Sequence, residues 1–209
     1  MQRSLVAIDA GTGAATPLFA LGDGSIGFNG GLAYDAAADR FFVIGSDSHT
    51  PHSGAVGCVA FGVGTTAIFN SWLTKDVRLK VPPSVLIRVN GRKPVNVTAK
   101  DFMLQILRHP YVKSGRAIGK IVEYAGDAVR ALSIDERATM TNMAAEVGAF
   151  TGIIAPDAVT VDYLVRERGL PRPEVEAMRS QSWSVSLPLR RRLESTLASE
   201  QSMRWVSSS

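Results

Sequence analysis

Phe41-Phe42-Val43-Ile44-Gly45-Ser46-Asp47-Ser48-His49-Thr50 is the stretch on which the reading of this chain turns. Four consecutive apolar residues fit a short buried strand, and the glycine behind them ends it. The turn that follows crowds a carboxylate, a hydroxyl and an imidazole into Asp47, Ser48 and His49. Polar density at the end of an apolar strand is where open α/β sheets put ligands.

On its N-terminal side, residues 1–44 read as β structure with turns. Leu5 to Ile8, Ala14 to Phe19, Leu32 to Tyr34 and Arg40 to Ile44 are strand candidates, separated by Gly- and Asp-rich turns. The turn residues Asp9, Thr12-Gly13, Asp35 and Asp39 in this pattern resemble one repeat of a β-propeller-type protein. One blade cannot bury its own faces, and no second copy is present, so the segment is expected to cover another surface or to stay poorly ordered.

Residues 45–172 are different in kind: small-residue helices alternate with apolar strands, which predicts an α/β domain. Glycines 54, 57, 62 and 64 are costly in helices, so they imply close backbone approach to a neighbour or ligand. Val77, Leu79 and Val81, then Val85, Ile87 and Val89, alternate with polar residues as half-buried strands do, up to the turn Asn90-Gly91. Thr98 with Asp101 and Ser133 with Glu136 are capping boxes; the second predicts a helix reaching about Val147. Ile121-Val122 and Ile153-Ile154 are candidate buried strands. Residues 173–209 turn rich in serine and lack clean helical spacing, so a poorly ordered tail or a weak helix from Leu187 to Trp205 is expected.

At 209 residues, with 45% apolar and 20% charged content, the chain can bury a real core. Its formal charge of +4 is mild, and the cationic run Arg190-Arg191-Arg192 is short, which argues against nucleic-acid binding. The single cysteine, Cys58, excludes an internal disulfide and a Cys-rich metal site built from this chain alone, and it reads as a small core residue. No apolar run is long enough to span a membrane, and Asp9 interrupts the N-terminal strand before a signal-peptide core forms. A cytoplasmic location is the expectation.

Asp47, Ser48 and His49 are too close in sequence to form a serial Ser–His–Asp triad by themselves, and no G-x-S-x-G turn supports one. A metal site from Asp47, His49 and His52 and a polar turn capping the next helix through Thr50 or Ser53 both remain open. The helix after Ser133 places Thr139, Asn142 and Glu146 along one stripe of an otherwise apolar helix. A carboxylate there must be paired, protonated or facing a wet cavity, with Arg137 the nearest structural partner. Gly62-Val63-Gly64-Thr65-Thr66 lacks the lysine of a P-loop, and G-x-G-x-x-G is absent.

From about Val43 to Leu170 the chain resembles the large-subunit aconitase family, especially its 3-isopropylmalate dehydratase branch. The resemblance rests on Gly45 to Thr50, Gly54-Ala55, Gly57 and Ala60 to Thr65, then on Val97 to Asp101, Val122 to Gly126, Leu132-Ser133 and Arg137 to Ala149. It implies a partial α/β/α layered domain and an iron–sulfur hydro-lyase that dehydrates and rehydrates hydroxy di- or tricarboxylic acids. It also implies a [4Fe-4S] cluster whose iron is a Lewis acid for the substrate hydroxyl. The resemblance further implies, by position, that Asp47 and His49 lie beside the cluster and its bound hydroxyl. It implies that Ser48 hydrogen-bonds a substrate carboxylate, that Asn142 sits near the cluster, and that Glu146 hydrogen-bonds the hydroxyl that leaves as water.

The family's three cluster cysteines, its upstream Asp and His pair, its substrate-binding arginines and its swivelling base-bearing domain have no counterpart in this sequence. The expectation is therefore a truncated hydro-lyase, inactive alone, completed by another large-subunit fragment and a small swivelling subunit. A competing reading is a non-catalytic binding module that keeps the fold without the activity.

Overall fold

The computed structural model describes residues 3–8, 15–21, 30–35, 40–74, 80, 82–177, 179 and 201–204. Strands β1 (Arg3–Ile8) and β2 (Ala15–Leu21) pair antiparallel, close to where the sequence predicts them. β3 (Gly30–Asp35) and β4 (Arg40–Gly45) form the expected antiparallel pair, and β5 (Ala60–Gly62) then adds to β4 in parallel. Between β4 and β5 lies a 3-10 helix, Thr50–Val56. The Asn90-Gly91 turn and the two apolar pairs also fall into place. β6 (Ser84–Asn90), β7 (Ile121–Ala125) and β8 (Thr151–Ile154) run parallel, and β9 (Gln201–Arg204) joins β6, giving the order β8-β7-β6-β9.

Parallel neighbours need crossovers, and helices supply them. After β5 comes α1 (Thr65–Thr74); α2 (Ala99–Arg108) and α3 (Pro110–Lys113) carry the chain from β6 to β7. α4 (Asp127–Arg130) and α5 (Ile134–Asn142) carry it from β7 to β8, and α6 (Ala158–Arg168) follows. Both predicted capping boxes form: the Thr98 hydroxyl accepts from Asp101 N–H, and the Ser133 hydroxyl from Glu136 N–H. Each satisfies a backbone donor that the first helical turn leaves open.

Alternation along β6 buries Val85, Ile87 and Val89 against Phe102, Met103 and Ile106 of α2 and Val122 and Tyr124 of β7. A smaller cluster of Ile44, Phe61 and Ile68 lies under β4 and β5, and Phe150 stacks on Phe61 with centroids 4.5 Å apart. The two clusters are joined where the Thr151 hydroxyl donates to the Ala60 carbonyl.

Three expectations change. Residues 201–204 form strand β9, where a weak helix from Leu187 to Trp205 is one expectation; residues 180–200, with Arg190 to Arg192, and residues 205–209 lie outside the described residues, as do Val77, Leu79 and Val81. The helix opened by Ser133 stops at Asn142 rather than near Val147. Beyond it Ala144, Ala145, Glu146 and Gly148 N–H groups each bond the carbonyl three residues back, so the chain tightens into turns.

Arg137 does not pair with Glu146. Its side chain is 0% exposed and grips both oxygens of Asp157 at 2.8 Å, with further bonds to the Leu132 and Arg130 carbonyls. Such a bidentate, fully hydrogen-bonded geometry is what makes a buried guanidinium tolerable. Partial burial pushes the Asp157 carboxyl up, but the hydrogen bonds and charge of Arg137, with the N–H groups of Thr160 and Val159, outweigh it and hold it below the usual carboxylate range. Replacing Asp157 by Asn strands the Arg137 charge, and the expected loss is about 3–5 kcal/mol in chemical denaturation. Because the native value is depressed, the wild-type contribution is full above about pH 4 and fades as pH falls through it, so the difference between wild type and D157N should shrink in acid.

Candidate functional site

Gly45 ends β4, and the polar turn starts there because nothing larger fits: a Cβ at Gly45 would lie 2.1 Å from the Thr50 hydroxyl. Gly62 is held to the same standard, since its Cβ would come within 2.5 Å of the Asp47 carbonyl. The turn is closed by Thr50, whose N–H and hydroxyl both donate to that carbonyl, at 3.2 and 2.6 Å. The helix-capping expectation is corrected here. His49, not Thr50 or Ser53, takes the cap position of the 3-10 helix, and it makes no side-chain capping bond. Asp47 instead folds its carboxylate back onto the His49 N–H at 2.7 Å.

These bonds aim the His49 ring. Its Nδ1 is 3.2 Å from the Ser48 hydroxyl and 3.5 Å from Asp47 Oδ1, while Nε2 is 3.4 Å from Glu146 Oε1. Asp47 and Ser48 thus share one ring nitrogen, which rules out an Asp47–His49–Ser48 triad, where base and orienter must sit on opposite nitrogens. The serial chain that does form is Ser48–His49–Glu146, and 97 residues separate its last two members.

Glu146 belongs to this site, though not as a helix-borne buried carboxylate: it lies in the turns after α5 with 43% of its side chain exposed. Thr139 drops out of the stripe, because its hydroxyl donates to the Asp135 carbonyl on its own helix. Asn142 closes α5, and its side-chain amide makes no hydrogen bond among the described residues, so the described contacts do not tie it to the turn. His52 is exposed, and its carbonyl accepts from the Thr141 hydroxyl. Among the described residues no three His, Cys, Asp or Glu side chains stand together as metal ligands. Cys58 is partly buried, and burial pushes its thiol up.

Two buried residues whose roles no local pattern marks stand next to the arrangement, and one of them tethers it. The buried Thr141 hydroxyl donates to the His52 carbonyl at 2.9 Å, tying α5 to the 3-10 helix. Threonine in a helix commonly bonds its own i−4 carbonyl, so nothing in the sequence singles this one out. Tyr124 of β7 is 1% exposed, and its hydroxyl has no partner among the described residues. Burial, then the Glu146 charge, push its pKa up. Its ring follows the alternating burial of β7, which gives no sign of the hydroxyl.

Parallel strands with helical crossovers define an α/β domain. Residues 18–192 match the model of the aconitase family (aconitate hydratase), a span wider than the blocks between 43 and 170. The chain belongs to the aconitase family. It is 39% identical to the 3-isopropylmalate dehydratase large subunit of Bifidobacterium longum over 133 residues, 64% of this chain and 28% of that protein. The protein of the same name from Streptococcus gordonii is 37% identical over 147 residues, 70% of this chain and 32% of its own length. That of a Synechococcus species is 42% identical over 143 residues, 68% and 29%. The chain thus spans less than a third of the length of these relatives. No helix among the described residues is long and apolar enough to cross a membrane.

If Thr141 sets the turn against α5, Thr141→Val should lose about 1 kcal/mol of stability and broaden the His49 ring resonances, while Thr141→Ser retains both. Equal behaviour of the two variants in melting and in NMR would count against the tether.

Proposed function

We propose that this chain carries one half of a hydro-lyase site of the 3-isopropylmalate dehydratase type, for the reversible loss and gain of water by a 2-hydroxy di- or tricarboxylic acid. The hydrogen-bonded chain Ser48–His49–Glu146, formed across 97 residues, is the observation that carries this reading. Both ends of it fall within residues 18–192, the span that matches the family model.

Dehydration breaks a C–O bond and a C–H bond on the neighbouring carbon, and the hydroxyl leaves as water. In this reading the Glu146 carboxyl hydrogen-bonds the departing hydroxyl, and His49 on its other side fixes the carboxyl and can exchange a proton with it. The Ser48 hydroxyl donates to a substrate carboxylate. Asp47 holds the His49 N–H and lies 3.5 Å from its ring, and Asn142, the last residue of α5, is the one this reading sets toward the cluster. With His49 45% and Glu146 43% exposed, the pair faces an open side that a substrate or another protein surface would have to cover.

The family's [4Fe-4S] cluster does not fit this chain's own donors. A cluster iron wants thiolates, whereas the one cysteine is Cys58, and burial moves its thiol away from thiolate. In our reading the cluster, the base and the remaining substrate contacts come from elsewhere: a complementing large-subunit segment and a small swivelling subunit. Soluble metabolic chemistry of this type is consistent with a cytoplasmic location.

Given iron and sulfide under anaerobic conditions, the chain alone should develop no cluster absorbance, and a stoichiometric cluster would overturn the half-site reading. Once complemented by a cysteine-bearing segment, the assembly should dehydrate 3-isopropylmalate, with Glu146→Gln lowering kcat by about 10²–10⁴-fold. A complemented chain that bound hydroxy acid without turning it over would be a binding module instead.

A further inference from the structure

From Phe102 to Lys120 the chain has no aspartate or glutamate and carries Arg108, Lys113, Arg116 and Lys120. The last three lie at the end of α3 and in the connection to β7. Two of these cations converge on one ring: Arg116 Cζ is 4.6 Å from the Tyr111 centroid, and Lys120 Nζ is 5.6 Å from it. Lys120 also donates to the Tyr111 hydroxyl at 2.9 Å. Among the described residues, no carboxylate pairs with Arg108, Lys113, Arg116 or Lys120. Like charges gathered about one aromatic ring repel, and an anionic surface laid over them would relieve that.

Ile118 stands among them with 66% of its surface exposed. It is not on a loose loop. Its N–H bonds the Gly115 carbonyl at 3.1 Å, and its neighbour Ala117 is fully buried. Gly119 N–H bonds the Gly148 carbonyl and Phe150 N–H the Lys120 carbonyl, both at 2.8 Å. A Cβ at Gly148 would lie 3.2 Å from Ile118 Cγ1, so that glycine leaves room for the side chain to sit where it does. An aliphatic anchor on a backbone pinned at both ends, rimmed by cations already placed on a ring, has given up much of the ordering entropy that association costs.

We propose that the connection between α3 and β7 docks a protein partner whose surface presents carboxylates around an apolar pocket. Ile118 is the anchor, and Arg116, Lys113 and Lys120 are the charged rim. Charge complementarity alone would admit a nucleic acid, but single strands are gripped by exposed aromatic faces, and the aromatic here, Tyr111, is buried under its cations. This inference does not depend on the hydro-lyase reading.

The test is fluorescence anisotropy on the full chain, using a synthetic peptide in which leucine is flanked by glutamates. A single-stranded oligonucleotide of equal charge is the second probe. Peptide binding should fall with added salt and weaken about tenfold in the exposed pair Lys113→Glu with Arg116→Glu, and comparably in Ile118→Asp. Arg166→Glu on α6 should leave it unchanged. Failure of the wild-type chain to bind the peptide, indifference to Ile118→Asp, or tighter binding of the oligonucleotide would each overturn the proposal.

Discussion

Gly54 and Gly152 meet backbone to backbone, and the described site hangs on that approach. A Cβ on Gly54 would lie 1.9 Å from the Gly152 carbonyl, and one on Gly152 would strike Ala144, Tyr124 and the Thr141 backbone at 3.0 to 3.2 Å. The 3-10 helix, β8, β7 and the end of α5 therefore share one crowded point. Overfilling such a point costs roughly 1–3 kcal/mol, and more where the opposing atom is backbone that cannot rotate away. With both side chains absent, the 3-10 helix settles deep enough for His52 to meet the Thr141 hydroxyl and for His49 to reach Glu146. Contacts through Gly62 and Gly57 brace the same segment, against the Asp47 carbonyl and Pro156.

Much of this was legible in the residues. The period-2 runs from Val85 to Val89, the apolar pairs at 121–122 and 153–154, and both capping boxes report on local chemistry, and local chemistry decided those elements. The glycines at 54, 57 and 62 were rightly read as points of close approach, while Gly64 has open space around it. Propensity could not say where α5 ends. Ala144, Ala145 and Val147 favour helix, but the chain must turn at Gly148, whose φ is +72°, to enter β8. Long-range pairing was equally invisible: the partner of Arg137 is 20 residues away at Asp157, and that of Glu146 is 97 residues away at His49.

The site residues emerged from the sequence as a set through family resemblance, since spacing alone left a cap and a metal site open. Geometry then changed their relations. Asp47 braces the turn, Ser48 and Glu146 take opposite nitrogens of His49, and the carboxylate is half exposed. An exposed side-chain contact of this kind contributes little to stability, typically under about 1 kcal/mol. Its placement is thus poorly explained as a device for holding the fold together, and this supports reading it as chemistry awaiting the rest of a pocket.

The most direct test of the account is the ¹⁵N resonance of the His49 ring, recorded for the full chain and for Glu146→Gln. If the glycine contact holds the turn against the segment after α5, loss of the carboxylate should move His49 Nε2 and leave the ring of His109, at the start of α3, unchanged. An unmoved His49 signal would mean that the two segments do not meet in solution, and the half-site would have no physical basis.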